Sequence, residues 1–291
     1  MIEARNVTKF FSVVNDDRTA DGTTAVLSVS LSIPDGRFVS FLGPSGCGKS
    51  TFLEILAGLQ APTEGEVWID GRRVLEPLPA TRKEMEAYRR KYRFLSPIAN
   101  SVFRDKPKHD IAMIFQDYAV FPWMTALQNV VFTLKLRGAP RGERRALALR
   151  YLARVGLAGA ESKYPAQLSG GMRQRLAIAR ALSVEPSIIL MDEPFAAVDL
   201  QTRERLQEDL VRLWGDTGKT IVLVTHDLDE AVYLSDEIVV FSPGPGTVRN
   251  RLAVDVPRPR RRTDPALREQ RARLAAIYRY DQEHASESGE I

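Results

Sequence analysis

A glycine-rich segment between a predicted strand and a predicted helix constrains the fold of this chain more than any other feature. Residues 37–42 are largely apolar, β-branched or aromatic and predict a strand, and the apolar pattern of residues 50–59 predicts a helix. Glycines between them let the backbone turn its amides inward, where the helix N-terminus adds partial positive charge. The segment matches the P-loop pattern, so we expect it to bind nucleotide phosphates. Its nine residues are Gly43, Pro44, Ser45, Gly46, Cys47, Gly48, Lys49, Ser50 and Thr51.

Two carboxylates follow another predicted strand. Residues 187–191 form a nearly continuous apolar run, and Asp192 and Glu193 come directly after it. Open α/β sheets bind ligands at the carboxyl ends of their strands, so these side chains belong to the same kind of site. We expect Lys49 to reach the β- and γ-phosphates of ATP and Ser50 to coordinate Mg²⁺. Asp192 is expected to hold Mg²⁺ either directly or through water. Glu193 is the expected general base for the attacking water.

The order of predicted elements indicates an α/β fold. Residues 220–225 form a third apolar run, as expected when helices cover both faces of a parallel sheet. Residues 64–71 alternate and turn like antiparallel strands, whereas residues 125–182 carry a helical pattern. We therefore predict a P-loop α/β core with an antiparallel β subdomain and an inserted helical subdomain.

Composition and charge narrow the setting in which the chain works. The sequence has 41 Lys and Arg against 37 Asp and Glu, and the formal net charge of +4 is too small to argue for nucleic acid. Residues 82–108 and 249–273 are locally basic, and we interpret both as solvated faces.

Because no apolar run approaches the roughly 18 residues that span a bilayer, we expect the chain to stay in the cytosol and to reach a membrane through a partner. Cys47 is the sole cysteine, which excludes an intrachain disulfide.

Residues 168–175, Leu-Ser-Gly-Gly-Met-Arg-Gln-Arg, resemble the signature sequence of ATP-binding cassette (ABC) ATPases. Ser169 suits a helix N-cap, and Gly170 and Gly171 leave the amides of the following helix open to an anion. The resemblance covers about residues 2–250. It implies that two cassettes stack head to tail. Ser169, Gly170 and Gly171 of one chain then contact the γ-phosphate held by the P-loop of the other.

Further positions match the same family in order. Gln116 resembles the glutamine that senses Mg²⁺ and the attacking water, and His226 resembles the switch histidine that contacts the γ-phosphate. Asp199 resembles the loop aspartate that couples the two nucleotide sites. Phe11 resembles the aromatic residue that stacks on adenine, and the adjacent Phe10 is the alternative. The resemblance thus implies catalytic roles for Gln116, His226 and Glu193, with Gln116 also at the metal.

Residues 116–129 resemble the part of a cassette that binds the cytoplasmic coupling helix of a transmembrane subunit. Within this segment, Tyr118, Phe121 and Trp123 are candidates to line an apolar cleft, the alternative being that they are core aromatics.

The Phe-Pro-Trp run, Met172 in the signature and residues 256–260 resemble bacterial nitrate, sulfonate and taurine importers. That resemblance implies a second ATPase subunit in a homodimer, transmembrane permease subunits and, indirectly, an extracytoplasmic solute-binding protein. The chain is then a peripheral protein at the cytoplasmic face of the inner membrane.

The family pattern predicts how the chain is divided. An ABC transporter ATP-binding domain spans residues 1–250, with its helical subdomain at about 120–182. Residues 76–108 are an insertion beyond the family pattern, which we interpret as a surface elaboration, with a docking or lipid-headgroup site as the alternative. Its apolar residues at helical spacing are Met85, Tyr88, Tyr92 and Leu95.

Residues 251–291 predict a helical C-terminal extension. A linker rich in proline and arginine precedes a helix capped by Thr263 or Asp264. Leu267, Leu274, Ile277 and Tyr278 fall on its apolar face. We interpret the extension as a candidate regulator of the assembly, with binding of an effector as the alternative.

A soluble ABC-type ATPase that acts on nucleic acid or ribosomes is the alternative function. Such proteins usually carry long heptad coiled coils or two cassettes in one chain, and this sequence shows neither. The basic C-terminal stretch is the feature that keeps this alternative open.

Overall fold

The computed structural model describes residues 1–14, 20–75, 111–196 and 198–287. The chain divides into two compact units, Met1–Lys108 with Val224–Ile291 and His109–Leu223. The predicted insertion at residues 76–108 lies outside the described residues. Among the described residues, no helix combines the length and the apolar character needed to cross a membrane.

The first unit contains a four-stranded antiparallel sheet in the order β2-β1-β4-β5. Its strands are β1 (Ile2–Val14), β2 (Ala20–Ile33), β4 (Glu64–Ile69) and β5 (Arg72–Leu75). Ile2 pairs with both Ile33 and Ile69, and all three side chains are buried. Asp70 and Gly71 both have positive φ, the conformation that closes a two-residue hairpin between β4 and β5. The antiparallel strands predicted near residues 64–71 are therefore confirmed.

The same unit holds the strand that leads into the glycine-rich segment. Strand β3 (Phe38–Leu42) is buried along its whole length and pairs in parallel with β9 (Glu237–Phe241), which pairs antiparallel with β10 (Val248–Ala253). Helix α1 (Lys49–Leu56) follows β3. The rings of Phe41, Phe52 and Phe241 lie 5.4–5.9 Å apart, so α1 is packed against the two strands by aromatic contacts.

Two further helices complete the first unit. Helix α6 (Leu228–Leu234) contacts β3, and helix α7 (Pro265–Glu287) contacts α6 and β10. Asp264 accepts a hydrogen bond from the Ala266 amide, so it is Asp264, of the two predicted candidates, that caps α7. On the predicted apolar face, Leu267 and Leu274 are buried, whereas Ile277 and Tyr278 are partly exposed. The interpretation of residues 249–273 as a solvated face is wrong at Arg260, which is only 7% exposed.

The second unit contains a parallel strand pair and a group of helices. Strand β6 (Ile111–Ile114) pairs with β7 (Ile188–Asp192), and the unit continues through helix α5 (Leu200–Thr217) into β8 (Thr220–Thr225), within which the division of the chain falls. Helices α2 (Ala126–Arg137), α3 (Arg144–Arg154) and α4 (Gly170–Ser183) contact one another, as predicted for residues 125–182. Leu134, Leu152 and Leu176 are buried between them.

Candidate nucleotide-binding site

The glycine-rich segment adopts a turn that requires glycine at position 48. Gly48 has a φ of +95°, and a Cβ placed there would lie 2.0 Å from the carbonyl oxygen of Ala25. Gly46 also has a positive φ, of +79°, but nothing lies within 4 Å of its Cβ position. Position 48 therefore requires glycine both because of its backbone conformation and because β2 approaches it closely. Position 46 favours glycine because of its backbone conformation alone.

A second turn, which the sequence reasoning did not identify, supports the glycine-rich segment. The Gly246 amide donates to the Ala25 carbonyl at 3.0 Å, and a Cβ on Gly246 would lie 2.1 Å from the Cys47 carbonyl. Ser242 fixes this turn, since its hydroxyl donates to the Pro245 carbonyl at 2.9 Å and accepts from the Thr247 amide at 3.0 Å. The sequence feature that predicts this turn is Ser-Pro-Gly-Pro-Gly at residues 242–246, directly after a buried strand.

Lys49 lies at the start of α1 with its ammonium inside the turn. Its side chain is buried, and Nζ donates to the carbonyls of Gly43 at 2.8 Å and Pro44 at 2.6 Å. Burial raises the pKa of the adjacent Cys47 thiol, and the charge of Lys49 opposes that rise. Ser45, Gly46 and Ser50 are exposed, so hydroxyls and backbone of the turn face outward beside a buried cation.

Phe11 and Phe10 both lie near the end of the described part of β1. The Phe10 ring covers Gly22, because a Cβ on that glycine would lie 1.9 Å from Phe10 Cζ. The Phe11 ring instead contacts a cation, with Lys9 Nζ 5.0 Å from its centroid. The two side chains are similarly exposed, so exposure does not decide between them. The adenine contact of Phe11, with Phe10 as the alternative, stays a prediction.

His226 lies between two residues that are tied to the start of α6. The Thr225 hydroxyl donates to Glu230 Oε2 at 2.7 Å and accepts from the Asp227 amide at 3.0 Å. The Asp227 carboxylate caps α6 by accepting from the amides of Asp229 at 2.8 Å and Glu230 at 3.2 Å. The backbone on both sides of His226 is thus fixed by α6, while its imidazole is exposed.

The carboxylate pair lies at the end of β7 in the second unit. Asp192 is the last residue of the strand, and Glu193 follows with a φ of +41°. A non-glycine residue with positive φ is uncommon and costs conformational energy, and such residues concentrate at functional sites. The turn is held by the Ala196 amide, which donates to the Glu193 carbonyl at 3.2 Å, and by the buried Phe195.

Gln116 approaches the same sheet edge as Asp192. Ile114, at the end of β6, pairs with Met191, and the two strands are parallel. Gln116 therefore follows the carboxyl end of β6, and Asp192 lies at the carboxyl end of the adjacent strand β7. Their amide and carboxylate oxygens suit Mg²⁺, which prefers oxygen ligands and retains substrate phosphates and waters in its shell.

The signature residues cap α4 and pack against α5. The Ser169 hydroxyl accepts from the Met172 amide at 3.3 Å, as predicted for an N-cap. A Cβ on Gly171 would lie 2.5 Å from Thr202 Cγ2, so this glycine lets α4 approach α5. Asp199 caps α5 by accepting from the Thr202 amide at 3.1 Å, and this hydrogen bond lowers the pKa of Asp199. Thr202 thus links the signature to the loop aspartate.

The three aromatic residues after Gln116 differ in their surroundings. Tyr118 is 6% exposed, which fits the core interpretation, whereas Trp123 is 69% exposed. Phe121 is intermediate in exposure. Its ring lies 5.6 Å from the Trp123 ring, and the Arg180 guanidinium lies 4.5 Å from its centroid. The buried Asn129 holds the loop, since its amide oxygen accepts from the Phe121 backbone and its amide nitrogen donates to the carbonyls of residues 121, 124 and 125.

Comparison with known proteins agrees with this geometry. The family model described as ABC transporter matches residues 26–196. An uncharacterized ABC transporter ATP-binding protein, MJ0412 of Methanocaldococcus jannaschii, is 41% identical over 276 residues, covering 95% of this chain and 90% of that protein. The taurine import ATP-binding protein TauB of Yersinia pestis is 42% identical over 234 residues, 80% of each chain.

A solved structure gives the same result for the fold. The dimeric, post-hydrolysis ATP-binding cassette MJ0796, bound to ADP and Pi, matches with a TM-score of 0.68 at 36% identity, covering 88% of this chain and all of that one. The fold and the P-loop define an α/β nucleotide-binding ATPase. The chain belongs to the ABC transporter family, and it is an ATP-binding cassette that hydrolyses ATP. The predicted fold class is confirmed.

Proposed function

We propose that this chain drives import of a small solute by a bacterial ABC transporter. The observation that carries this proposal is the 42% identity to the taurine import protein TauB over 80% of both chains. The similarity extends well beyond the P-loop and the signature, which all transport cassettes share. We infer that the substrate is a small solute such as nitrate, a sulfonate or taurine.

We infer the following division of work in the catalytic site. The P-loop, residues 43–51, binds the phosphates, with Lys49 at the β- and γ-phosphates and Phe11 at adenine. Ser50, Asp192 and Gln116 would hold Mg²⁺, which would supply positive charge against the charge that develops on the transferred phosphoryl group. Glu193 accepts the proton of the attacking water, and His226 holds the γ-phosphate in place. The oxygen set at these positions and the strained backbone of Glu193 support this assignment.

The hydrolytic assignment is tested with Glu193→Gln. The amide keeps the size of the side chain but accepts no proton, so we expect ATP binding to persist and steady-state turnover to fall at least about 100-fold. Glu208→Gln, at an exposed position of α5, is the matched control and should hydrolyse ATP as the unchanged chain does. Normal turnover by Glu193→Gln would remove Glu193 from the role of base.

A second copy of this chain is the partner that completes the site. Ser169 is exposed at the N-terminus of α4, where free amides and the helix dipole attract an anion. The neighbouring structure MJ0796 is a dimer with ADP and Pi. We infer a head-to-tail homodimer in which Ser169, Gly170 and Gly171 contact the nucleotide bound by the partner's P-loop and Asp199 connects the two sites.

Transmembrane permease subunits are the second kind of partner. The exposed Trp123, held in place by the loop around Asn129, offers an apolar contact for a helix of such a subunit. We infer that the chain binds there at the cytoplasmic face of the inner membrane, in a system whose solute-binding protein lies outside. Capture of the tagged chain from detergent-solubilised membranes should recover a protein with several transmembrane segments, and Trp123→Ser should weaken that recovery. Recovery of no transmembrane protein would refute the transport proposal.

The transport proposal also assigns the regions of the chain. We infer that residues 1–250 form the ATP-binding domain, with residues 120–182 as its helical subdomain, and that residues 251–291 extend it. The relatives named above are ABC transporter proteins, which favours transport over action on nucleic acid or ribosomes.

A further inference from the structure

The segment after β10 contains a buried arginine that contacts the end of α6. We define the C-terminal arm as residues 254–278. Within it, Arg260 is 7% exposed, and burial lowers its pKa to about 10, so it stays charged at neutral pH. Its guanidinium donates at 2.7–3.1 Å to five backbone carbonyls, those of Val232, Tyr233, Ser235, Val254 and Val256.

Three of these hydrogen bonds go to carbonyl groups at the carboxyl end of α6. The last carbonyls of a helix have no partner within it and carry partial negative charge, so they stabilise a buried cation there. Arg258 adds a second contact, because it donates to the Leu234 carbonyl and pairs with the Asp236 carboxylate. Arg262 lies 3.9 Å from the centre of the Tyr233 ring. Three arginines of the arm therefore contact the same helix end.

The arm also reaches the amino end of α6. Arg271, on α7, pairs with Asp229 at 2.7 Å in the first turn of α6. Glu230 in the same turn accepts a hydrogen bond from the Thr225 hydroxyl, and Asp227 caps the helix at this end. The arm thus contacts both ends of the helix that fixes the backbone on either side of His226.

We propose that the C-terminal arm is a positioning element for His226, acting through α6, so that those arginines of the arm that contact α6 set the rate of ATP hydrolysis without touching the nucleotide. This inference rests on the proposed catalytic role of His226. A helix of seven residues, Leu228–Leu234, has little stability of its own and depends on contacts at its ends. A displacement of His226 by about 1 Å is enough to reduce the rate on the order of 100-fold, because catalytic contacts tolerate little misplacement.

The exposed pair of Arg271 and Asp229 gives a test that spares the fold. Arg271→Asp and Asp229→Arg should each lower kcat for ATP about two- to five-fold with little change in KM, in line with the coupling of an exposed ion pair. The double variant, with the charges exchanged, should restore kcat. Arg268→Asp, a neighbouring exposed arginine of α7, is the control and should leave kcat unchanged.

The buried contact gives a larger effect and a spectroscopic readout. Arg260→Met keeps the aliphatic length and removes all five hydrogen bonds, so kcat should fall at least about ten-fold with KM within two-fold. The chain has three histidines, so ¹⁵N-histidine labelling and loss of one signal in His226→Gln identify His226. That signal should shift or broaden in Arg260→Met and in Arg271→Asp, while the circular dichroism spectrum stays unchanged.

The outcomes separate this inference from the catalytic proposal. If His226→Gln hydrolyses ATP normally, the catalytic role of His226 is wrong and the arm has nothing to position. If His226→Gln is inactive but the charge-exchange pair shows no loss and no restoration, and the His226 signal does not move in Arg271→Asp, the inference about the arm fails alone. The charge-exchange pair decides the question even if Arg260→Met does not fold.

Discussion

Gly171→Ala should destabilise the second unit, and a substitution on a different helix should reverse most of that loss. The added Cβ would lie 2.5 Å from Thr202 Cγ2, a distance that forces α4 and α5 apart. Overpacking of this kind costs about 1–3 kcal/mol, and the better helix propensity of alanine offsets up to about 1 kcal/mol. We expect a net loss of about 1–2 kcal/mol in the free energy of unfolding.

Thr202→Ser removes the methyl group that the alanine meets. The next atom near the new Cβ is Leu206 Cδ1 at 3.5 Å, an ordinary contact distance. The Thr202 amide that donates to Asp199 is retained, so the cap of α5 survives. Thr202→Ser alone should cost no more than about 1 kcal/mol, and the double variant should show a favourable coupling of about 1–2 kcal/mol.

The assay is a double-mutant cycle by equilibrium urea unfolding, followed by tryptophan fluorescence and circular dichroism. Trp214 lies in α5 and reports on the helix that must move. Gly215→Ala in α5, where nothing lies within 4 Å of the new Cβ, is the control and should raise stability by about 0.5–1 kcal/mol. If Gly171→Ala unfolds at the same urea concentration as the unchanged chain, or Thr202→Ser does not relieve it, the steric argument is refuted.

Three further predictions follow from single contacts. Gly46→Ala should cost about 1 kcal/mol in the absence of nucleotide and Gly48→Ala at least about 2–3 kcal/mol, because only position 48 adds a clash to the backbone strain; equal urea midpoints would contradict this. Asn129→Leu should lower stability by about 2–4 kcal/mol, measured by thermal unfolding, since several loop groups lose their partners together; a loss below about 0.5 kcal/mol would contradict the role of Asn129 in holding the loop. Cys47, whose thiol pKa is raised by burial, should react with iodoacetamide far more slowly in the folded chain than in urea and should need more alkaline pH than a free thiol; equal rates would show that the thiol is accessible.

The local parts of the fold and site could be predicted from the sequence. A continuous apolar run predicts the strand that ends at Asp192, because a strand buried on both faces has no polar side to alternate with. The cap of α7 follows from Asp264 before Pro265, and the P-loop from glycine spacing between a strand and a helix. These signals depend on neighbouring residues, so one sequence is sufficient to find them.

The remaining features depend on residues that are distant in the sequence. Arg260 belongs to a basic stretch that is typical of a solvated surface, and only the packed end of α6 explains why it is buried. The need for glycine at position 171 comes from Thr202 on another helix. Tyr118 and Trp123 lie in the same aromatic segment, but Tyr118 is 6% exposed and Trp123 69% exposed in the folded chain. Contacts of this kind are set by the fold and leave no local pattern.

The central claim is that ATP is enclosed between the P-loop of one chain and the signature of a second. Sedimentation velocity of Glu193→Gln with Mg-ATP tests it most directly. We predict a species of twice the 32.6 kDa chain mass that retains two ATP molecules, and its loss when Ser169→Arg is added to the same chain. A species of single chain mass at saturating Mg-ATP, or a dimer unaffected by Ser169→Arg, would contradict the account.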